Sequence, residues 1–174
     1  MKPVIRDAHP DDHDALVEQF LGLNIYEDAI AADRRTDLAG AADSLAMAWK
    51  RVTDTQGAAL VAVLGGRVVG HLFLAFERDA VFIREHLREH AYVSELFVRA
   101  EARHAGVGKA LMQHAEGFAV ARGSRRLMVG VLIGNTPAES LYAQLGFVPS
   151  SMELKKRIGL DTTGQADIGP AGPT

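Results

Sequence analysis

Apolar residues recur at two different spacings along this chain, and the changes of spacing mark where helices give way to strands. Pro3 to Ala8 reads as a first strand, and His9-Pro10-Asp11-Asp12 as a helix start, with proline and acids placed where the helix dipole favours them. Leu16, Val17, Phe20, Leu21 and Ile25 then fall on one helical face. From Asn24 to Arg35 the period is lost and charge accumulates, which reads as a solvated connection, with a substrate-facing segment as the alternative. A second helix is expected from about Thr36 to Thr53, carrying Leu38, Leu45, Met47, Ala48 and Trp49 and ending near Gln56-Gly57. Beyond Ala58 the period shortens. Ala59 to Leu64 and Val68 to Phe76 are strand-like, with Gly65-Gly66 as a hairpin signal between them. Glu77 to His90 is a charged connection with room for a short helix around Val81 to Leu87.

Tyr92, Val93, Leu96, Phe97 and Val98 supply the β-branched and aromatic content of a largely buried strand, interrupted by Ser94 and Glu95. A long helix through Ala110, Leu111, His114, Ala115, Phe118 and Ala119 follows and is ended by Gly123. Arg125 to Ile133 reads as another buried strand, Asn135-Thr136-Pro137 opens a helix closed by Gly146, and Phe147 to Ile158 reads as a last strand or hairpin. A hairpin in the middle and crossovers later predict an α/β domain over residues 1–158, with a mixed, twisted sheet and helices on both faces. Residues 159–174, rich in Gly, Pro and Thr, are expected to be a disordered tail.

Composition narrows the function classes. A chain of 174 residues suits one core, and a formal charge of −3 without a long basic stripe argues against nucleic-acid binding. With no cysteine there is no thiol nucleophile, disulfide framework or thiolate metal site. No apolar run has the length of a signal core or a membrane span, so a soluble, cytoplasmic protein is expected.

The stretch hardest to explain by packing is Arg103-His104-Ala105-Gly106-Val107-Gly108-Lys109, between the Tyr92–Val98 strand and the long helix. Two glycines there allow a tight turn and let a ligand approach the first-turn amides, where the helix dipole is positive and a phosphate or pyrophosphate is favoured. It is not a Walker A loop, which would need glycine at Arg103 and a hydroxyl at Ala110. Nor is it a dinucleotide fingerprint, because Leu111 stands where a third small residue belongs.

Asn135-x-x-Ala138-x-x-Leu141-Tyr142-x-x-Leu145-Gly146-Phe147 follows after one helix and one strand. Together with Arg103-x-x-Gly106-x-Gly108 and Ser94-Glu95-Leu96-Phe97-Val98, it resembles the GNAT superfamily of N-acetyltransferases over about Tyr92 to Phe147. That resemblance implies acetyl-CoA as cosubstrate and no metal. It implies that the backbone at Phe97 and Val98 binds the pantetheine arm and that the amides of His104 to Lys109 cradle the pyrophosphate. Direct transfer to an amine of a small molecule or peptide is expected, by a monomer or a homodimer.

Glu95 is the first candidate for the base, since a charge in an apolar strand needs a reason; facing solvent or pairing with an arginine would also supply one. Tyr142 is the candidate acid, because a phenol stays protonated at neutral pH, with a packed aromatic as the alternative. Asn135 either contacts the cofactor or caps its helix. Glu27, Asp28, Asp33 and Glu77 hint at a cationic acceptor, whereas the spaced pairs His9 with His13 and His86 with His90 lack a third metal ligand. Lys155-Lys156-Arg157, or Arg122 with Arg125-Arg126, are candidates for an outlying phosphate. The other function class that the motifs admit is a non-catalytic acyl-CoA-binding regulatory domain.

Overall fold

The structure, a computed structural model, describes residues 2–156 and Ile158. By its contacts the chain falls into two compact units, Met1–Leu132 and Ile133–Thr174, and each is described by itself. The first unit contains a five-stranded sheet in the order β1 (Val4–Asp7), β2 (Ala58–Leu64), β3 (Arg67–Arg78), β4 (Glu89–Val98) and β5 (Leu127–Val129). The first four strands are antiparallel neighbours, and β5 joins β4 in parallel. Gly65 and Gly66 both have positive φ, 58° and 78°, as a two-residue hairpin turn requires.

Two helices cover one face. Leu16 and Phe20 of α1 (His13–Ala31) and Ala41, Leu45, Ala48 and Val52 of α2 (Leu38–Thr55) bury themselves against Ala59, Val61 and Phe73. Phe20 and Trp49 both meet the Phe73 ring edge-on, each with centroids 5.5 Å apart. On the opposite face lies α4 (Val107–Ala121). A methyl group at Gly70 would come within 3.3 Å of Val107 and 3.4 Å of Leu111, so glycine lets this helix sit close to β3. Burial on both faces explains why β2 and the middle of β3 read as nearly continuous apolar runs.

The ladders slip by one residue in two places, between Ala62 and Val63 and between Phe73 and Leu74. At the second, Val93 opposes Leu74 and Glu95 opposes Phe73, so Ser94 is an extra residue in β4. Its hydroxyl donates to the Phe73 carbonyl at 3.4 Å. Without the slip Glu95 would share the α4 face with Val93; with it, Glu95 shares the α1/α2 face with Phe73.

Several boundaries depart from the expected ones. The first helix does not stop near Ile25 but continues to Ala31, where Ala32 takes a left-handed conformation (φ 53°) and donates to Asp28 O at 2.8 Å. β3 and β4 extend into the charged segment because opposite charges face each other across the ladder: Arg78 opposes Glu89 and bonds it at 2.6 Å. Only Glu85–Arg88 (α3) is helical there. The strand expected over Arg125 to Ile133 shrinks to Leu127–Val129. The strand expected from Phe147 does not form among the described residues, and Val148, Met152, Leu154 and Ile158 are exposed. An apolar pattern without a ladder partner has nothing to satisfy its backbone. The expected tail, 159–174, lies outside the described residues.

In the second unit α5 (Thr136–Gln144) is capped by Asn135, whose side-chain oxygen accepts from Ala138 N–H at 3.3 Å, with proline in the first turn. Phe20, fully buried, is the test of the first unit's core. Phe20→Ala is expected to lower unfolding free energy by about 3–5 kcal/mol, whereas Val4→Ala on the exposed edge strand costs under ~1 kcal/mol. Urea unfolding of both variants measures the contrast.

Candidate active site

The turn from β4 into α4 is built from backbone. After Val98 the chain makes a short 3₁₀ turn at Ala100–Ala102, then passes through His104 (φ 62°) and Gly106 (φ 77°) into the helix. No atom lies within 4 Å of where a Gly106 side chain would start, so the glycine answers to the left-handed backbone rather than to crowding. Ala110 N–H donates to Gly106 O at 3.0 Å. By the geometry of any helix start, the amides of Val107, Gly108 and Lys109 have no carbonyl one turn back within the helix. Arg103 braces the turn, its Nε donating to Val98 O at 3.1 Å while its guanidinium lies 5.3 Å from the Tyr26 ring centroid.

Beside this turn β4 has an open edge. β5 pairs only with Ala91, Tyr92 and Val93, so on that side residues 94–98 have no strand partner among the described residues. Such an edge accepts an extended ligand through backbone hydrogen bonds. The Phe97 ring packs the other way, over Gly22 of α1, where a methyl group would come within 2.8 Å of it. Just past β5, a methyl group at Gly130 would fall 2.8 Å from the Tyr92 hydroxyl, so glycine leaves room for that phenol where the two strands part.

Glu95 is partly buried, and its carboxyl pKa is pushed up to about 7. Burial is the largest cause, the charge of Glu27 adds to it, and Arg51 and Arg34 offset it in part. Both arginines give their hydrogen bonds to other carboxylates. Arg34 Nε donates to Glu27 at 2.8 Å, and Arg51 pairs with Glu77 while lying 5.1 Å over the Tyr92 ring. The acids read as hints of a cationic acceptor are therefore engaged within the protein: Asp28 accepts the Arg34 amide at 2.9 Å and Asp33 pairs with the Arg34 guanidinium.

Glu95, Phe97 and Val98 thus lie on one strand, with Arg103 to Lys109 at the turn after it. Asn135 and Tyr142 belong to the second unit, where the Tyr142 ring lies 5.7 Å from that of Phe147. The charged neighbours of Glu95 carried no motif, and Arg34 lay in the segment read as a connection. Equally unannounced was His71, fully buried between Phe20 and Phe97. Gln19 donates its amide to Val68 O at 3.0 Å, so its oxygen faces His71 Nδ1 at 3.0 Å and selects the neutral Nδ1–H tautomer. Burial lowers the His71 pKa to about 3.

Of the other candidates, Arg157 lies outside the described residues. His9 and His13 line an apolar groove of about 480 Å³ with Pro10, Leu16 and Trp49, and no group of three metal-ligating side chains occurs among the described residues. Arg122 donates to Gln56 and stacks on Phe76, and Arg126 bonds Asp79 at 2.8 Å. No described helix is long and apolar enough to cross a membrane.

An open mixed sheet, with a strand that parts from its parallel neighbour and turns through glycine into a helix, defines the α/β class of this protein. The chain belongs to the acetyltransferase (GNAT) family, whose model matches residues 23–147. It is similar to the solved structure of a GCN5-related N-acetyltransferase from Ralstonia eutropha, at 24% identity and TM-score 0.67, covering 90% of this chain and 98% of that one. A transcriptional regulator from Bacillus halodurans matches at 21% identity and TM-score 0.70, covering 90% and 99%. An aminoglycoside 6'-N-acetyltransferase from Acinetobacter haemolyticus matches at 15% and 0.66, covering 91% and 99%. At these identities the likeness concerns the fold. No curated protein sequence matches the chain.

The raised Glu95 pKa has a consequence for stability. Between the ordinary glutamate value of 4.5 and about 7 the folded protein keeps a proton that the unfolded chain has released, so stability falls as pH rises through that window. Glu95→Gln carries no such penalty. It is expected to exceed the parent's stability by on the order of 1–3 kcal/mol at about pH 8, with the difference closing towards pH 4. Thermal unfolding across that range checks it, and a pH-independent difference would show that the Glu95 carboxyl titrates normally.

Proposed function

We propose that the protein is an acetyl-CoA-dependent N-acetyltransferase that moves an acetyl group directly to a primary amine of a small molecule or peptide. The observation that carries this proposal is Glu95, a carboxyl with a pKa near 7 in the strand that precedes the glycine turn and has an open edge. An amine arrives protonated and must lose a proton before it attacks, and a base is most effective when its pKa lies near the working pH. Glu95 is proposed as that base, directly or through a water.

The residues present fit the cosubstrate that the family implies. The amides from His104 to Lys109, at the positive end of α4, suit a pyrophosphate, and the edge at Phe97 and Val98, which no described strand covers, suits an extended amide-bearing arm. Acetyl-CoA supplies the acetyl group as an activated thioester. Tyr142 is proposed to donate a proton to the departing sulfur, and Asn135 to contact the cosubstrate in addition to capping α5. With no cysteine in the chain, direct transfer is the route available without a thiol-bound acetyl group.

The test is release of free thiol from acetyl-CoA with a panel of polyamines, aminoglycosides and lysine peptides. The aminoglycosides belong in it because one similar structure is that of an aminoglycoside 6'-N-acetyltransferase. Gly106→Val, which forces a β-branched residue into a left-handed backbone, is expected to weaken acetyl-CoA binding at least about tenfold by calorimetry, while His104→Ala changes it little. With an amine that reacts, Tyr142→Phe is expected to keep acetyl-CoA affinity and lose about 10²-fold in turnover. Undiminished turnover removes Tyr142 from the chemistry. Tight acetyl-CoA binding with no amine acetylated would favour instead a non-catalytic acyl-CoA-binding regulator, in keeping with the similar structure described as a transcriptional regulator.

A further inference from the structure

β4 and β5 part at a defined place, and one side chain reaches into it. The parallel ladder pairs Ala91 with Leu127, Tyr92 with Met128 and Val93 with Val129, and ends there. Side chains alternate between the faces of a sheet, so Tyr92, Met128 and Gly130 share one face, on which Arg51 of α2 lies 5.1 Å over the Tyr92 ring. The Tyr92 hydroxyl reaches beyond Met128, its own ladder partner. A methyl group at Gly130 would come within 2.8 Å of that oxygen, so the phenol leans forward by two residues, on the order of 6–7 Å, past the last pair of the ladder.

That posture is held from three sides. Ala75, opposite Tyr92 on β3, is fully buried and small, which leaves the ring room at its base. Arg51 covers the ring and is itself fixed by its ion pair with Glu77, two residues further along β3. Gly130 has no side chain to turn the phenol back. On the other face of the sheet the same place is filled, because Val93, directed towards α4, is buried. A group that enters between the parting strands can therefore extend only towards α1 and α2, where Tyr92 stands. With the pyrophosphate at the turn after Val98, an extended arm on the edge that no described strand covers runs back from Val98 towards Ser94 and ends where β5 closes that edge.

We propose that Tyr92 sets the length of the acyl group the protein accepts: its phenol, held under Arg51 and admitted by Gly130, closes the place where β4 and β5 part, leaving room for an acetyl group and excluding a longer chain. This rests on the turn and the open edge holding acetyl-CoA, and adds to it a residue that selects among acyl-CoA thioesters. Tyr92 acts by contact, whereas Arg51 and Gly130 are positioning residues. A wall of this kind discriminates by about 10–200-fold per methylene when it cannot give way, and the guanidinium over the ring supplies that stiffness. Gly130 is not among the residues with positive φ, so alanine suits its backbone, and the 2.8 Å approach makes its methyl group a substitute for the Tyr92 oxygen.

The experiment is calorimetric binding, with no amine present, of CoA, acetyl-CoA, propionyl-CoA and butyryl-CoA to the parent, Tyr92→Ala, Tyr92→Phe and the double variant Tyr92→Phe with Gly130→Ala. The parent is expected to bind butyryl-CoA at least about tenfold more weakly than acetyl-CoA. Tyr92→Ala is expected to abolish that difference while CoA itself binds as it does to the parent. Tyr92→Phe removes one oxygen and keeps the ring; it is expected to relieve propionyl-CoA but not butyryl-CoA, and it serves if Tyr92→Ala does not fold. Adding Gly130→Ala refills the vacated space and is expected to restore the discrimination against propionyl-CoA, a reversal that a general loosening of the packing would not produce. Equal affinity of the parent for acetyl-CoA and butyryl-CoA, or the parent's ratios unchanged in both single variants, overturns the proposal and leaves the acetyl-CoA site standing. Failure of the parent to bind CoA or any of its thioesters refutes that site, and this proposal with it.

Discussion

Pairing of β3 with β4 across the extra residue Ser94 is the constraint on which the site depends. In an unbroken ladder side chains alternate strictly, and Glu95 would point with Val93 and Ala91 towards α4. The one-residue slip puts Glu95 opposite Phe73 and so turns it towards α1, α2 and the connection between them. The same slip leaves Leu96 opposite Leu72 and Phe97 opposite His71, so the strand remains apolar on both faces around a single carboxylate. A bulge that adds one unpaired residue is a small perturbation of the sheet, yet it decides which set of charges Glu95 meets.

Once so aimed, Glu95 is governed by a balance between burial and partly compensated charge. Desolvation raises its pKa, and the two arginines that oppose the shift, Arg51 and Arg34, do not reverse it, each being already bonded to a carboxylate. At partly solvated distances a neutralised ion pair acts nearly as a dipole, and its effect is correspondingly weak. Burial prevails, and the group stays poised near neutral pH. The buried His71, a few residues away on β3, is subject to the same desolvation without any charged partner, and is held neutral by it.

The adjoining turn is made chiefly of backbone features. A left-handed Gly106, first-turn amides and an open strand edge make few demands on side-chain identity. Arg103 contributes by clamping the turn to Val98 and Tyr26. A site composed of amides and carbonyls persists through extensive sequence change as long as the sheet and the helix keep their places, which accords with a common fold at 15–24% identity.

Hydrophobic periodicity was enough to locate α2, α4, α5 and the strands β1 to β4, because each has a buried face whose spacing is set by its own backbone geometry. The Gly65-Gly66 hairpin was legible for a similar reason, since positive φ at two successive residues selects glycine. Glu95 and the glycine turn stood out locally, one as a charge among apolar neighbours and the other as small residues at a strand-to-helix junction. The last turns of α1 were not legible: Glu27 and Asp28 looked like a solvated connection, and only their pairing with Arg34 accounts for them. The missing strand after Phe147 is the converse case, a β-like pattern for which the described residues offer no ladder partner. By itself, then, the sequence determined which segments are regular and which residues are chemically out of place, since both follow from neighbours a few positions apart. Tertiary structure decided the direction of Glu95 and the company it keeps, because a register slip and ion pairs between α1, α2 and the sheet depend on residues that are distant along the chain.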